Sequence, residues 1–432
     1  TMRAVIAIFI YLCFFQQQLI AQPATEKELV YTFFLIGDTG KPLYENAKAN
    51  LDVLDDQLQQ VKGSSGIIFL GDNIYPIGLP QQDDMLYNDA QKYLDVQLKM
   101  LEDYSGDIFF VAGNHDWAKG RKYGWQQVLR QEAAVDSFFT ERKNVFFPDG
   151  GCPGPVEISL NEEITLILID TQWLLHRHQK PLADCDIESV QDLFLQIEDI
   201  LSNNMNKKVI VAGHHPLVTY GAHGGYFNLR HHIFPLTDVV DWLYLPLPVM
   251  GSIYPLYRKY FGDIQDLAHP EYKAIKSQLL TYFKDYPNTI YVAGHEHNLQ
   301  YNLRDSTHYI VSGAGSKESF VKKGKYAQFV SHGTGFSKLL FYKDGNVILQ
   351  TWEPDETSAG KMVYENTIFS KPYIEEMTEE YYEENVDFRD STVIVPGSEQ
   401  YETSDFGKFM LGKNYRDVWG MPIEVEVFDI GK

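Results

Sequence analysis

Five apolar runs in this chain end in the same way, on a glycine followed at once by polar residues. They span residues 30–38, 66–72, 107–116, 207–215 and 288–297. Short runs without polar alternation suit strands buried on both faces. A glycine at the end of each lets the backbone turn sharply toward a site. The polar residues that follow should therefore collect along one edge of a sheet.

Between these runs lie helical stripes. Leu51, Leu54, Leu58 and Val61 recur at a spacing of three to four, as do Val190, Leu193, Phe194, Ile197 and Leu201. Strand followed by helix, repeated, predicts a layered α/β core. Segments 309–311, 338–342 and 347–352 read as consecutive strands, with Asp344-Gly345 as a hairpin signal. They predict a second sheet packed against the first.

The polar residues at the strand ends carry the chemistry. They read Gly37-Asp38-Thr39-Gly40, Gly71-Asp72-Asn73-Ile74-Tyr75, Gly113-Asn114-His115-Asp116, Gly213-His214-His215 and Gly294-His295-Glu296-His297. A Gly-Asp pair at one strand end is ordinarily a turn, and a single His there is ordinarily a surface residue. Five such ends in one chain gather carboxylates, an amide, a phenol and several imidazoles. That is costly beside a buried sheet unless cations bind there.

In these motifs and their order the chain resembles the calcineurin-like metallophosphoesterases. Within them it is similar to the small, tartrate-resistant type of purple acid phosphatase. Tyr75, three residues after Asp72, is the mark of that group, and 294–301 (His-Glu-His-Asn-Leu-Gln-Tyr after Gly294) and Ser312-Gly313-Ala314-Gly315 also look similar. The resemblance implies an α/β fold over residues 28–352, a four-layer α/β/β/α sandwich of two mixed β-sheets flanked by helices. It implies that Asp38, Tyr75 and His297 hold one metal ion, that Asn114, His214 and His295 hold a second, and that Asp72 bridges them. It further implies phosphate monoester hydrolysis by a metal-bound hydroxide, with no nucleophile from the protein.

Physical chemistry agrees with that division. A phenol, with an ordinary pKa of about 10, is a good ligand near neutrality only beside a strongly polarising ion, which argues for Fe(III) at Tyr75. The nitrogen and oxygen donors of the other set suit Fe(II), Zn(II) or Mn(II). Asp38, Asp72 and a Tyr75 phenolate against one trivalent and one divalent ion leave a local charge of about +2. An acidic chain can thus attract phosphate at this one place. The resemblance assigns protonation of the leaving group to His223, nine residues beyond His214, and stabilisation of the phosphoryl charge or a share in proton transfer to His115. His215, His231 and His232 read as structural. Asp116 either orients His115 or caps a turn.

The chain carries 37 basic against 59 acidic residues, a net charge of -22. Affinity for nucleic acid requires clustered Lys and Arg, so no nucleic-acid binding is expected. The expected substrate is a phosphorylated small molecule or phosphoprotein. Residues 1–22 combine a basic start (Met2, Arg3), an apolar run over 4–15 and the Ala21-Gln22 end, the grammar of a signal peptide. The expected location is exported: secreted, periplasmic or cell-surface. Cys152 and Cys185 then remain, either bridged or as two thiols.

Two regions depart from the compact family pattern. Residues 227–271 interrupt the strand–helix alternation with Trp242, Leu243, Tyr244, Leu245, Pro246, Leu247, Pro248 and further aromatics. They read as an insertion, either a lid or an aromatic surface for a membrane or partner. Residues 353–432 read as an acidic tail or linker. Their end, 422–427, alternates like the start of a strand, and 406–427 looks similar to the junction joining a phosphoesterase to an outer-membrane barrel in bacterial surface proteins. That expectation makes the chain a piece of a longer protein. Two other functions compete with the monoesterase: a phosphodiesterase or nucleotidase on the same metals, and a non-catalytic module of a surface assembly.

Overall fold

The computed structural model describes residues 28–370 apart from 143, 239–241 and 357–358. The signal-like start and everything beyond residue 370, including 406–427, lie outside the described residues. In chain order the first elements are β1 (Leu29–Ile36), α1 (Glu45–Gln60), β2 (Ser65–Phe69), α2 (Tyr87–Met100), β3 (Asp107–Val111), α3 (Gly124–Phe138), β4 (Phe146–Phe147) and β5 (Val156–Ser159). There follow β6 (Ile164–Leu168), α4 (Thr171–Leu175), α5 (Val190–Asn203), β7 (Lys208–Ala212), α6 (Leu229–Ile233), α7 (Ile253–Tyr260) and α8 (Pro270–Asp285). The chain then runs through β8 (Thr289–Ala293), β9 (Leu299–Arg304), β10 (Thr307–Ser312), β11 (Ala327–Ser331), β12 (Phe336–Tyr342), β13 (Val347–Glu353) and β14 (Lys361–Phe369).

These strands form two seven-stranded sheets, in the orders β14-β13-β12-β1-β2-β3-β4 and β11-β9-β10-β8-β7-β6-β5. Both are mixed. β1 to β4 are parallel neighbours, as are β6, β7, β8 and β10, and the outer pairings β1–β12, β12–β13, β13–β14, β9–β10, β9–β11 and β5–β6 are antiparallel.

Apolar residues on both faces of β1 explain the layering. Phe33 and Leu35 join Ile68, Leu70, Leu166, Ile210 and Val292 in the core between the sheets. Phe34 and Ile36, one residue out of step, face the helices with Leu51, Leu54 and Leu58 of α1 and Leu94 and Leu98 of α2. Successive side chains on a strand point to opposite faces, so an unbroken apolar run is the pattern a doubly covered strand requires. On the other sheet α5 covers Val209 and Val211 with Leu193, Phe194, Ile197 and Leu201. Ser189 starts that helix by accepting the Asp192 amide at 3.1 Å. Helix, sheet, sheet and helix therefore stack as four layers. Each fully buried Leu or Phe contributes roughly 1.5–3 kcal/mol, and truncating Phe33 to Ala would cost about 3–5 kcal/mol.

Two expectations need correction. The late strands do not make the second sheet by themselves: β10 enters one sheet and β12 and β13 the other, because Leu339 and Phe341 of β12 pack in the inter-sheet core when paired with β1. The five glycine-ended runs are instead divided, three to one sheet and two to the other. The domain also does not stop at residue 352. β14 pairs along β13 from Lys361 opposite Glu353 to Phe369 opposite Val347. It closes the sheet as a largely exposed edge strand, which is why its polar text reads as tail.

Candidate metal centre

Because the two groups of parallel strands share one direction, their carboxyl ends meet at a common rim. Asp38 follows β1, Asp72 follows β2, Asn114 follows β3, His214 follows β7 and His295 follows β8. Bare backbone is needed for so close an approach. A Cβ on Gly71, itself at φ +87°, would lie 2.7 Å from the Gly113 nitrogen, and one on Gly113 would lie 2.3 Å from the Asp72 nitrogen. Asp38, Asp72 and His295 occupy the left-handed region at φ 60°, 55° and 70°. Each costs on the order of 1 kcal/mol, and such strain persists where the surroundings enforce it. Here Asp38 donates its amide to the Gly71 carbonyl (2.9 Å), and the His295 amide donates to Asp38 Oδ2 (2.7 Å).

All seven expected donors come together, in two groups. In the first, Tyr75 Oη lies 2.8 Å from Asp38 Oδ1 and 3.1 Å from His297 Nε2, and His297 Nε2 is 3.4 Å from Asp38 Oδ1. In the second, Asn114 Oδ1 lies 3.0 Å from His214 Nε2 and 3.1 Å from His295 Nδ1, and the two imidazole nitrogens are 3.1 Å apart. Asp72 sits between the groups, with Oδ1 3.5 Å from His214 Nε2.

The proton inventory of the second group fits a cation. His214 Nδ1 faces the Leu70 carbonyl at 2.8 Å and His295 Nε2 faces the Gln265 carbonyl at 3.0 Å. A carbonyl oxygen only accepts, so both of those nitrogens carry the proton. His214 Nε2, His295 Nδ1 and Asn114 Oδ1 are then three lone pairs converging without a hydrogen among them. Burial holds His295 well below the ordinary imidazole range and His297 down to about 3, so both stay neutral. In the first group burial, then the charge of Asp72, pushes Asp38 up to about 7, and burial with both carboxylates pushes the Tyr75 phenol well above its usual value. Cations would reverse both shifts. The donor set thus fits two metal ions.

Among the described residues, close acid and imidazole donors also group as His214, His215 and His295, and as Asp38, Asp72 and His214. His215 is not available to a metal. Its Nδ1 lies 2.8 Å from Thr171 Oγ1 and its Nε2 2.7 Å from Gln265 Oε1, so both ring atoms are engaged. His231 and His232 lie on α6, away from the rim, with His232 Nδ1 3.1 Å from Ser252 Oγ.

His115 donates Nδ1–H to the Pro76 carbonyl at 2.6 Å, which turns Nε2 toward Asp72 Oδ2 at 3.7 Å. Burial lowers it to about 4. His223 lies across the ring of His295, with centroids 4.0 Å apart.

Two supporting residues, Asp266 and Lys317, escaped sequence reasoning, and Asp116 takes the second of its two expected roles, capping turns. The buried Asp266 carboxylate meets His223 Nδ1 at 2.9 Å and is gripped by Arg258 from α7. Burial opposes its ionisation, yet the bonds from His223 and Arg258 hold its pKa below the usual value. Asp116 does not touch His115. It accepts the backbone amides of Gly113 (2.7 Å), Asn73 (3.1 Å) and Ile74 (3.2 Å), tying the Asp72 and Asn114 loops together. Lys317, just past the Ser312-Gly313-Ala314-Gly315 turn, places Nζ 3.4 Å from the Tyr75 ring centroid, and burial lowers its pKa. Of Asp266 and Lys317, Lys317 alone had a signal, its position after a glycine-ended strand.

Residues 31–299 match the family described as calcineurin-like phosphoesterase. No curated protein matches the chain. Among solved structures, it is similar to GAP50, the anchor in the inner membrane complex of Plasmodium, with TM-score 0.52 and 17% identity over 80% of this chain and 91% of that one. It is also similar to the purple acid phosphatase PPD1 of yellow lupin (Lupinus luteus) seeds, with TM-score 0.49 and 14% identity over 86% of this chain and 58% of that one. A third is a 5'-nucleotidase precursor from Thermus thermophilus, with TM-score 0.34 and 10% identity over 82% of this chain and 58% of that one.

Proposed function

The chain belongs to the calcineurin-like phosphoesterase family, and from that membership we propose that it is an exported hydrolase of phosphate monoesters whose dinuclear centre is of the purple acid phosphatase kind. One observation carries this reading: a buried phenol, Tyr75, sits within the donor group at 2.8 Å from Asp38 and 3.1 Å from His297. A phenol in that place has chemical use only beside a strongly polarising cation, which supports Fe(III) there. The donors Asn114, His214 and His295 support Fe(II), Zn(II) or Mn(II) at the second position, with Asp72 shared. Two such ions, when bound, would supply an activated water and neutralise phosphoryl charge.

The chain's own residues do the rest. Lys317 and His115, both packed on the Tyr75 ring, would stabilise phosphoryl charge from that side. His223, positioned by Asp266, delivers a proton to the departing alkoxide or phenoxide. Export is supported by the signal-like residues 1–22 and by the disulfide between Cys152 and Cys185, since disulfides persist outside reducing compartments.

The test pairs metal analysis with a visible spectrum and a comparison of p-nitrophenyl phosphate, its bis-ester and nucleotides. Two metals per chain, a tyrosinate-to-iron charge-transfer band and preferential monoester turnover are expected. Turnover of the bis-ester alone would replace the reading with a phosphodiesterase, and of nucleotides alone with a nucleotidase. A metal-loaded, colourless protein would remove Fe(III). A loaded protein inactive on every ester would make the chain a binding module of a surface assembly. Fractionation tests export, which fails if the full chain stays in the cytoplasm.

A further inference from the structure

The insertion turns its apolar side chains outward. Of the 22 large hydrophobic residues exposed among the described residues, twelve fall between Leu229 and Phe261. Trp242 is 77% exposed, Val249 80%, Met250 66%, Tyr260 65% and Phe261 69%. On α7, Ile253, Leu256 and Tyr260 form one outward stripe, and Tyr254 and Tyr257, with Phe261 just past the helix end, form a second beside it. Soluble proteins rarely leave so much contiguous apolar surface bare unless something covers it. The segment is not a loose end. Pro255 and Gly251 are buried beneath it, and Arg258, on the inward face of α7, is clamped to Asp266.

Charge identifies what covers the patch. From residue 242 to residue 262 the chain has no Asp or Glu, although acids outnumber bases 59 to 37 in the whole chain, and with Arg258 turned inward to Asp266 the charge left on its outer side is the exposed cation Lys259. One tryptophan and four tyrosines stand among the aliphatic residues, side chains that favour the boundary between hydrocarbon and headgroups. No helix among the described residues is long and apolar enough to cross a membrane. A short helix with an apolar outer face, interfacial aromatics and a cation beside them lies in the headgroup layer. We propose that residues 242–262 bind the surface of an anionic lipid bilayer. The acidic remainder of the molecule is repelled from that surface, so this patch alone sets the orientation. His223, whose Nδ1 lies 3.0 Å from Arg258 of α7 and 2.9 Å from Asp266, is thereby held close to the membrane. The proposal does not depend on what the metal centre hydrolyses.

The test uses the full metal-loaded chain and vesicles of phosphatidylcholine with or without phosphatidylserine. Wild-type protein is expected to co-float with the serine-lipid vesicles. The combined Val249→Ser, Tyr260→Ser and Phe261→Ser chain should bind at least about tenfold more weakly, with unchanged turnover of soluble p-nitrophenyl phosphate as proof of folding. Brominated lipid should quench tryptophan emission in wild type and not in Trp242→Phe. The apolar run at residues 4–15 is present in every chain, so equal binding by wild type and the triple variant would overturn the proposal. So would a concentration-dependent dimer that the same substitutions abolish while no variant touches vesicles, which would give the face to a second copy.

Discussion

The metal rim and the neighbouring insertion invert the usual distribution of polar and apolar groups in opposite directions. At the rim Asp38, Asp72, His214 and His295 are buried, where ionisable groups rarely sit without partners. In the insertion Trp242, Val249 and Phe261 are exposed, while the charged pair Arg258 and Asp266 is turned inward. Each inversion costs free energy that a cation or an apolar surface would return. Where a fold departs from polar outside and apolar inside, it marks where something binds. The two regions are joined at one point: Asp266, supplied by the insertion, holds His223 against the rim.

The largest effect should come from Asp72, the one carboxylate between both donor groups. Asp72→Asn is expected to lose metal and at least about a thousandfold in turnover, read by metal analysis and kcat, while vesicle binding stays unchanged. If activity survives, the bridging assignment is wrong. If vesicle binding falls with it, the rim and the insertion are not the separate regions described.

Next comes His223. A general acid contributes about a hundredfold or more where the leaving group needs its proton. His223→Gln should therefore slow alkyl phosphates far more than p-nitrophenyl phosphate, whose leaving group departs readily as an anion. Equal slowing of both esters would move His223 from proton donor to substrate binding.

Asp266→Asn should produce a weaker copy of that pattern, about tenfold on alkyl phosphates, because the amide keeps the contact with His223 but not the charge. Asp266 is a positioning residue, so its signature is the same dependence on leaving group with metal content unchanged. A uniform loss on all esters would instead mean that Asp266 acts only by docking the insertion and does not orient His223.

How far the sequence foretold these two regions follows from the same physics. The rim was legible because β1, β2, β3, β7 and β8 are runs of apolar residues closed by glycine, and each glycine is demanded by a backbone approach such as that of Gly71 to Gly113. Which sheet each strand joins was not legible, since an apolar run with both faces buried carries no mark of its neighbour. β14 was missed because an edge strand with exposed faces keeps polar residues. Asp266 and Arg258 were missed for another reason. They lie eight residues apart, and nothing local in Asp263-Ile264-Gln265-Asp266 tells that a histidine 43 positions earlier lies against it.

The smallest effect concerns pH and acts on that joint. Asp266 has a folded pKa held below the ordinary carboxylate value, burial opposing and His223 and Arg258 prevailing. A depressed carboxylate contributes stability that is fully present above the unfolded pKa, about 3.9, and is lost as pH falls through the folded value. From neutral pH down to about 4 the insertion should therefore stay docked. Below that, protonation releases a charge-assisted pair, and hydrogen-exchange protection across α7, corrected for intrinsic rate, should fall by about tenfold. In Asp266→Asn the protection should already be low at neutral pH and change little on acidification. A wild-type insertion whose protection stays flat at every acid pH at which the rest of the chain remains folded, or a variant that retains the acid transition, would show that groups other than Asp266 fasten the insertion to the rim.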